Sequence, residues 1–169
     1  LDDAFAASLG DFESLDALRG RVREDLEREA DREARRAVRH ALVSRILEAN
    51  PFEVPASMVE QYVARLVPDR EGADPVRLAE VRDSARPAAE FAIRRMLVLD
   101  RIAELESLTP QPADVEARVA DIAARIGRPA AELMGRLRKD GRLAELEGDM
   151  LEERVFAYLE PLSTIEERT

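Results

Sequence analysis

The chain has no cysteine and no tryptophan, one histidine, His40, and one lysine, Lys139. Each scarcity removes a class of chemistry. Without cysteine there is no disulfide, no thiol catalysis and no thiolate metal site. A lone histidine cannot build a histidine-based triad or a multi-histidine metal site within one chain. His40 reads as an exposed or partly packed histidine on a helix. Aromatics make up 4% of the residues, so large rigid anchors are scarce. The seven glycines are isolated and form no phosphate-binding loop. They are expected at turns or helix ends, apart from Gly148, which lies within a helix. No apolar run approaches the ~20 residues of a membrane span, and no export signal is present. Carboxylates are plentiful, but most fall on charged helix faces. Glu152-Glu153 and Glu166-Glu167 read as a solvated face and a tail. A carboxylate pair binds a metal only when both groups turn into a pocket, and nothing in the pattern requires that. No catalytic residue, cofactor or metal ligand is nominated, and an enzyme reading is weak.

What the chain has is helix-forming and charged. Hydrophobic residues make up 46% and charged residues 37%, against about 25% in an average globular chain. Ala, Leu, Glu and Arg dominate, the composition of helices. The net charge of −10 is spread evenly over residues 1–50, 51–109 and 110–169. Arginines are unclustered and not interleaved with aromatics, which argues against a nucleic-acid partner. The chain begins at Leu1 rather than Met, so it reads as a fragment of a longer, cytosolic protein.

The spacing of apolar residues predicts helices throughout. Phe5 and Leu9 mark a short one closed by Gly10. Ser14 is placed as the N-cap of a long helix to about Ala49. Its apolar face thins between Arg19 and Arg36, where pairs such as Glu24–Arg28 would add ~0.2–0.5 kcal/mol each. About 35 residues at 1.5 Å each would span ~52 Å, more than a small globule contains. Pro51 and Pro55 frame an extended linker, with Pro55 at the first position of the next helix. That helix carries Met58, Val59, Tyr62, Val63 and Leu66. Pro68 and Gly72 make a loop. Asp74-Pro75 opens a second long helix to about Leu108, with a kink expected at Pro87. After Pro87 the helix is apolar on most sides and should be wrapped by others. Thr109-Pro110-Gln111-Pro112 is a turn. Three shorter helices follow, separated by Gly127 and Gly141 and ended by Pro161. The fold class is all-α: an elongated helical domain with a long backbone helix and two helical arms.

The remaining functional signal is apolar surface. Met58, Tyr62, Leu66, Met96, Met134, Leu137, Met150 and Phe156 are candidates for a face that binds other polypeptides. Methionine suits varied partners because it is flexible and polarisable. Each of these residues alone is more readily explained by a core. As a set they matter because helical arms have few layers in which to bury apolar faces.

Several blocks are similar to one family. They are Leu1–Gly10 with Phe12–Arg19, then Asn50–Pro55 followed by Met58-Val59-Glu60, then Asp140-Gly141-Arg142-Leu143. In order and spacing they resemble the C-terminal substrate-binding domain of bacterial trigger factor, a ribosome-associated chaperone. The resemblance covers essentially the whole chain. It implies a body at residues 1–50, a first arm at 51–108, a second arm at 109–160 and a tail at 161–169. It implies ATP-independent binding of unfolded or nascent polypeptides in a cradle between the arms, in the cytoplasm. The family docks on the ribosome through an N-terminal domain and isomerises proline through another, and neither has a counterpart in these residues. A linker segment that packs on the body in the family is also lacking, which would expose a patch near the long helix and favour a homodimer. No nucleic-acid, membrane or cofactor partner is implied.

Two alternatives stay open from the residues. One is a structural helical adaptor or oligomerisation domain that binds no clients. Against it, the long helix keeps no strict heptad through its charged middle. The other is a periplasmic chaperone of related helical architecture. The Phe12–Leu18 and Asn50–Pro55 blocks favour the cytosolic family.

Overall fold

The computed structural model describes residues 2–69, 72 and 74–166. Leu1 of the first block, Arg70, Glu71 and Ala73 of the loop around Gly72, and residues 167–169 of the expected tail lie outside the described residues. The described residues form seven α-helices and no strand, so the chain is all-α. They divide into two compact units, Leu1–Arg45 and Ile46–Thr169.

The first unit contains α1 (Asp3–Leu9) and most of α2 (Leu15–Ala49). Asp2 caps α1 by accepting from the Phe5 N–H at 3.0 Å. At the start of α2 the Ser14 hydroxyl accepts from the Ala17 N–H at 3.2 Å, as expected of an N-cap. Asp3 adds a second acceptor for the same helix end, taking the Leu15 N–H at 2.7 Å. Every residue from Arg19 to Ala37 is exposed. Local ion pairs stand where packing is absent: Arg21–Asp25 at 3.1 Å, Arg28–Asp25 and Arg32–Glu29. Arg28 thus takes Asp25, three residues back, rather than Glu24. Gly20 lies inside α2, not at a helix end, and Gly135 lies inside α6 below.

The second unit holds α3 (Ala56–Leu66), α4 (Pro75–Leu105), α5 (Pro112–Arg125), α6 (Ala130–Lys139) and α7 (Leu143–Leu159), with a final 3-10 turn over Glu160–Leu162. Pro55 precedes α3 as its N-cap, one residue earlier than the sequence suggests. Asp74 caps α4 through the Val76 N–H at 2.9 Å. α4 runs unbroken through Pro87, at an exposed position where water can reach the carbonyl that proline leaves without its donor.

α3 pairs with α4 over Val59, Val63, Ala89 and Ile93, with Val54, Met58, Tyr62 and Leu97 packed around them. The linker therefore contributes to the core through Val54. Farther along, Leu99 and Ala103 of α4, Val115, Val119 and Ala123 of α5, and Met150, Val155 and Phe156 of α7 are buried. Between Ala89 and Ala103 only Met96, Asp100 and Arg101 are exposed, so this half of α4 is wrapped as its sequence implies.

Ion pairs tie α7 to its neighbours. Glu152 pairs with Arg95 of α4, Glu153 with Arg118 of α5 at 3.3 Å, and Arg154 with Asp114 of α5 at 2.9 Å. The Glu152-Glu153 pair, expected on a solvated face, supplies two of these three inter-helix clamps, with Glu153 still exposed. The Asp114 carboxyl also accepts from the Gln111 N–H at 2.7 Å at the start of α5. That backbone bond first, and Arg154 second, hold Asp114 below its ordinary value of 3.8. A depressed carboxylate stabilises the fold above its ordinary value, and the contribution is lost as pH falls through the lower folded value. Asp114→Ala should therefore lower the melting temperature at pH 7. The deficit should shrink towards zero in melts taken progressively below pH 3.8. At the far end of α7, the Glu106 carboxylate beside Tyr158 pushes that phenol up.

Three helices end in the same way. After α5, the Arg128 N–H reaches the Ala123 carbonyl at 2.9 Å with Gly127 at φ 65°. After α6, the Arg142 N–H reaches the Leu137 carbonyl at 2.9 Å with Gly141 at φ 71°. After α4, the Leu108 N–H reaches the Ala103 carbonyl at 2.8 Å, but the left-handed position is Ser107, at φ 57°. These are Schellman closures, in which glycine is the residue without a steric penalty. Ser107 pays that penalty, so Ser107→Gly should stabilise the unit by about 0.5–1 kcal/mol, read as a rise in the urea midpoint.

Candidate functional site

The second unit leaves apolar side chains open at the ends of its helix pairs. Where α3 meets the start of α4, a groove of about 390 Å³ is lined by Leu66, Val67, Pro68, Asp74, Arg77, Leu78 and Val81. Leu66 is 56% exposed and Val81 45% exposed. Arg82 fixes one wall. Its Nε and guanidinium nitrogen donate to the Val67 carbonyl at 3.1 and 2.8 Å, and the latter also to Asp69 at 3.1 Å. A carbonyl left over at the end of α3 is thereby satisfied by a partly buried side chain from α4.

A second open region surrounds α6. One cavity of about 340 Å³ lies between Ile126, Leu133 and Leu137, rimmed by Arg128, Arg136 and Arg142 with their acidic neighbours. Another, of about 240 Å³, lies between Ile122, Leu133, Leu137 and Leu146. Both share Leu133, Leu137 and Arg142. Apolar side chains line both cavities, and charged side chains rim them. Helix ends of this kind cannot bury all their apolar area, because too few helices surround them.

The eight candidates from the sequence scatter. Leu66 lines the first groove and Leu137 both cavities of the second region. Met96 is 45% exposed on α4. Met134 is half-buried on α6. Met58 and Tyr62 are half-buried against the α3–α4 core, with the Arg65 guanidinium 5.7 Å from the Tyr62 ring centroid. Met150 is buried, and Phe156 is fully buried with no surface to offer a partner. The candidates left out Leu78, Val81, Ile122, Ile126, Leu133 and Leu146, which also line these openings. Position held the signal: Val81 and Leu78 follow the loop after Leu66, and Ile126 directly precedes the Gly127 stop. His40 is exposed on α2. Among the described residues no three His, Asp or Glu side chains gather as a metal-binding group, and no helix is long and apolar enough to cross a membrane.

Fold and surface together define an all-α domain whose open chemistry is apolar helix surface flanked by charge. The family described as bacterial trigger factor protein, C-terminus, matches residues 14–160, and the chain belongs to this family of chaperones. Its matched part is the C-terminal region, separate from the family's isomerase domain. It is 36% identical to a trigger factor of Anaeromyxobacter sp. (strain Fw109-5), a match over 98% of this chain and 41% of the relative. It is also 36% identical to that of Anaeromyxobacter dehalogenans (strain 2CP-C), over 99% and 42%, and 31% identical to that of Synechococcus sp. (strain WH7803), over 99% and 36%. The chain thus spans about two fifths of the length of the first two relatives. No solved structure matches.

Proposed function

We propose that this chain is an ATP-independent chaperone module that binds unfolded or nascent polypeptides on its separated apolar surfaces. The observation that carries the reading is the pair of open regions at Leu66–Val81 and around Leu133–Leu137. Residues 1–50 form the body, 51–108 the first arm, 109–160 the second arm and 161–169 a tail. Each surface buries a little client area at ~25 cal/mol per Å², so each contact is weak and adaptable. Two surfaces on one scaffold raise the effective concentration of the second contact once the first forms. The net charge of −10 keeps such a surface soluble among sticky clients. In the full-length protein, ribosome docking and proline isomerisation belong to other domains, and the setting is the cytoplasm.

The test is suppression of aggregation. A chemically denatured client diluted into several-fold excess of this chain should stay in solution, and its NMR signals should broaden on binding. A client that aggregates at an unchanged rate, with unchanged NMR signals, would end this reading. A second reading, self-assembly through α2, draws on Val22 and Leu26, which are 48% and 65% exposed. Sedimentation separates it: a stable dimer with no affinity for unfolded chains supports assembly alone.

A further inference from the structure

The helix α6 differs from every other long element of the second unit. None of its ten residues is buried, whereas α5 and α7 on either side of it have three each. It packs along α5 with only Leu133, Met134 and Leu137 half-buried, and open cavities border Leu133 and Leu137. A fitted helix would fill that space, because packed interiors leave few voids larger than a water.

Its charges do not fasten it either. Among the described residues the ion pairs of α6 are local, Arg128–Glu132 at 3.5 Å and Arg136–Asp140 at 3.7 Å. By contrast, α5 and α7 clamp each other directly through Arg118–Glu153 and Arg154–Asp114. Removing α6 would leave those clamps in place. Both ends of α6 are glycine turns, Gly127 and Gly141, at φ 65° and 71°. A third glycine, Gly135, sits in its middle, where an added Cβ would meet nothing within 4 Å. Helices this short do not persist in water without packing, and an interior glycine weakens them further.

We propose that α6 is a flap that detaches on its own, hinged at Gly127 and Gly141, while α5 and α7 stay paired. Detachment joins the two cavities into one trough floored by Ile122 and Leu146. An extended apolar segment of a non-native polypeptide is its occupant, a point that rests on the chaperone reading above. Opening itself does not depend on that reading.

Native-state hydrogen exchange on the whole chain tests the flap without any client. Amides of α6 should exchange at least about tenfold faster than those of Val119 in α5 and Val155 in α7. Gly135→Ala should slow exchange within α6 by about fivefold and leave α5 and α7 unchanged. Leu133→Ser with Leu137→Ser should abolish protection in α6 and again spare its neighbours. Equal protection in all three helices, or loss in α5 and α7 alongside α6 in the double variant, overturns the proposal. If the flap opens as stated but no unfolded polypeptide binds, the chaperone reading fails and the hinge does not. If polypeptide binds while α6 exchanges no faster than α5, the hinge fails and the chaperone reading does not.

Discussion

Replacing Phe156 by alanine should destabilise the second unit by about 3–5 kcal/mol, the largest single-residue effect expected in this chain. Phe156 has no exposed surface and heads the fully buried side chains in size, with Ile93, Val119 and Val155 among the others. The loss combines the transfer of a phenyl group with the cavity left behind, since clamped helices collapse only partly into the space. A domain's whole stability is typically about 5–15 kcal/mol, so the variant should be partly unfolded at modest urea concentration. Urea titration followed by circular dichroism checks it: the midpoint should fall steeply with little change in slope. Met96→Ala is the matched control, because Met96 is 45% exposed and should cost no more than about 0.5 kcal/mol. Similar midpoints for the two variants would place Phe156 outside the core.

Charging the open grooves should produce the largest functional loss. Leu66→Glu with Val81→Glu places two carboxylates in the first groove, and Ile126→Glu places one at the second. All three residues are well exposed, at 56%, 45% and 54%, so the fold should survive. Buried against a client, each apolar side chain contributes about 1 kcal/mol of a possible 1.5–3, or roughly fivefold in affinity. A carboxylate in its place adds a desolvation cost to that loss. Each set alone should weaken aggregation suppression several-fold. The triple variant should lose at least about tenfold, because the surfaces reinforce each other through effective concentration. Unimpaired protection by the triple variant, with the melting temperature unchanged, would locate client binding elsewhere.

Much of the fold was legible along the chain because its signals are local. Ser14 and Asp74 cap the two long helices through oxygens placed just before them. Gly127 and Gly141 stop two helices because only a left-handed residue closes them comfortably. The Ser107 closure was not legible, since serine carries no such signal, although Pro110 marked the end of α4 nearby. Gly20 and Gly135 were expected at turns or helix ends, but the helices predicted across them run on, because neighbouring residues keep each helix going.

The candidate site was less legible. Met58, Met96, Met134 and Met150 look alike in sequence, each at helical spacing within an apolar face. Their fates differ because helix pairing differs. Met150 falls on the covered side of α7 and is buried, while Met96 falls on the side of α4 left open. Glu152 and Glu153 looked like a solvated pair until Arg95 and Arg118 arrived from other helices.

The sequence by itself determined the helical class, the element order and the absence of cysteine or multi-histidine chemistry, since these depend on periodicity, caps and residue inventory. Only the tertiary structure decided which apolar faces are covered. That choice depends on which helices meet, how many layers surround each face and where the layers run out. They run out beside Leu66 and Val81, and around α6, and there the chain keeps apolar surface open.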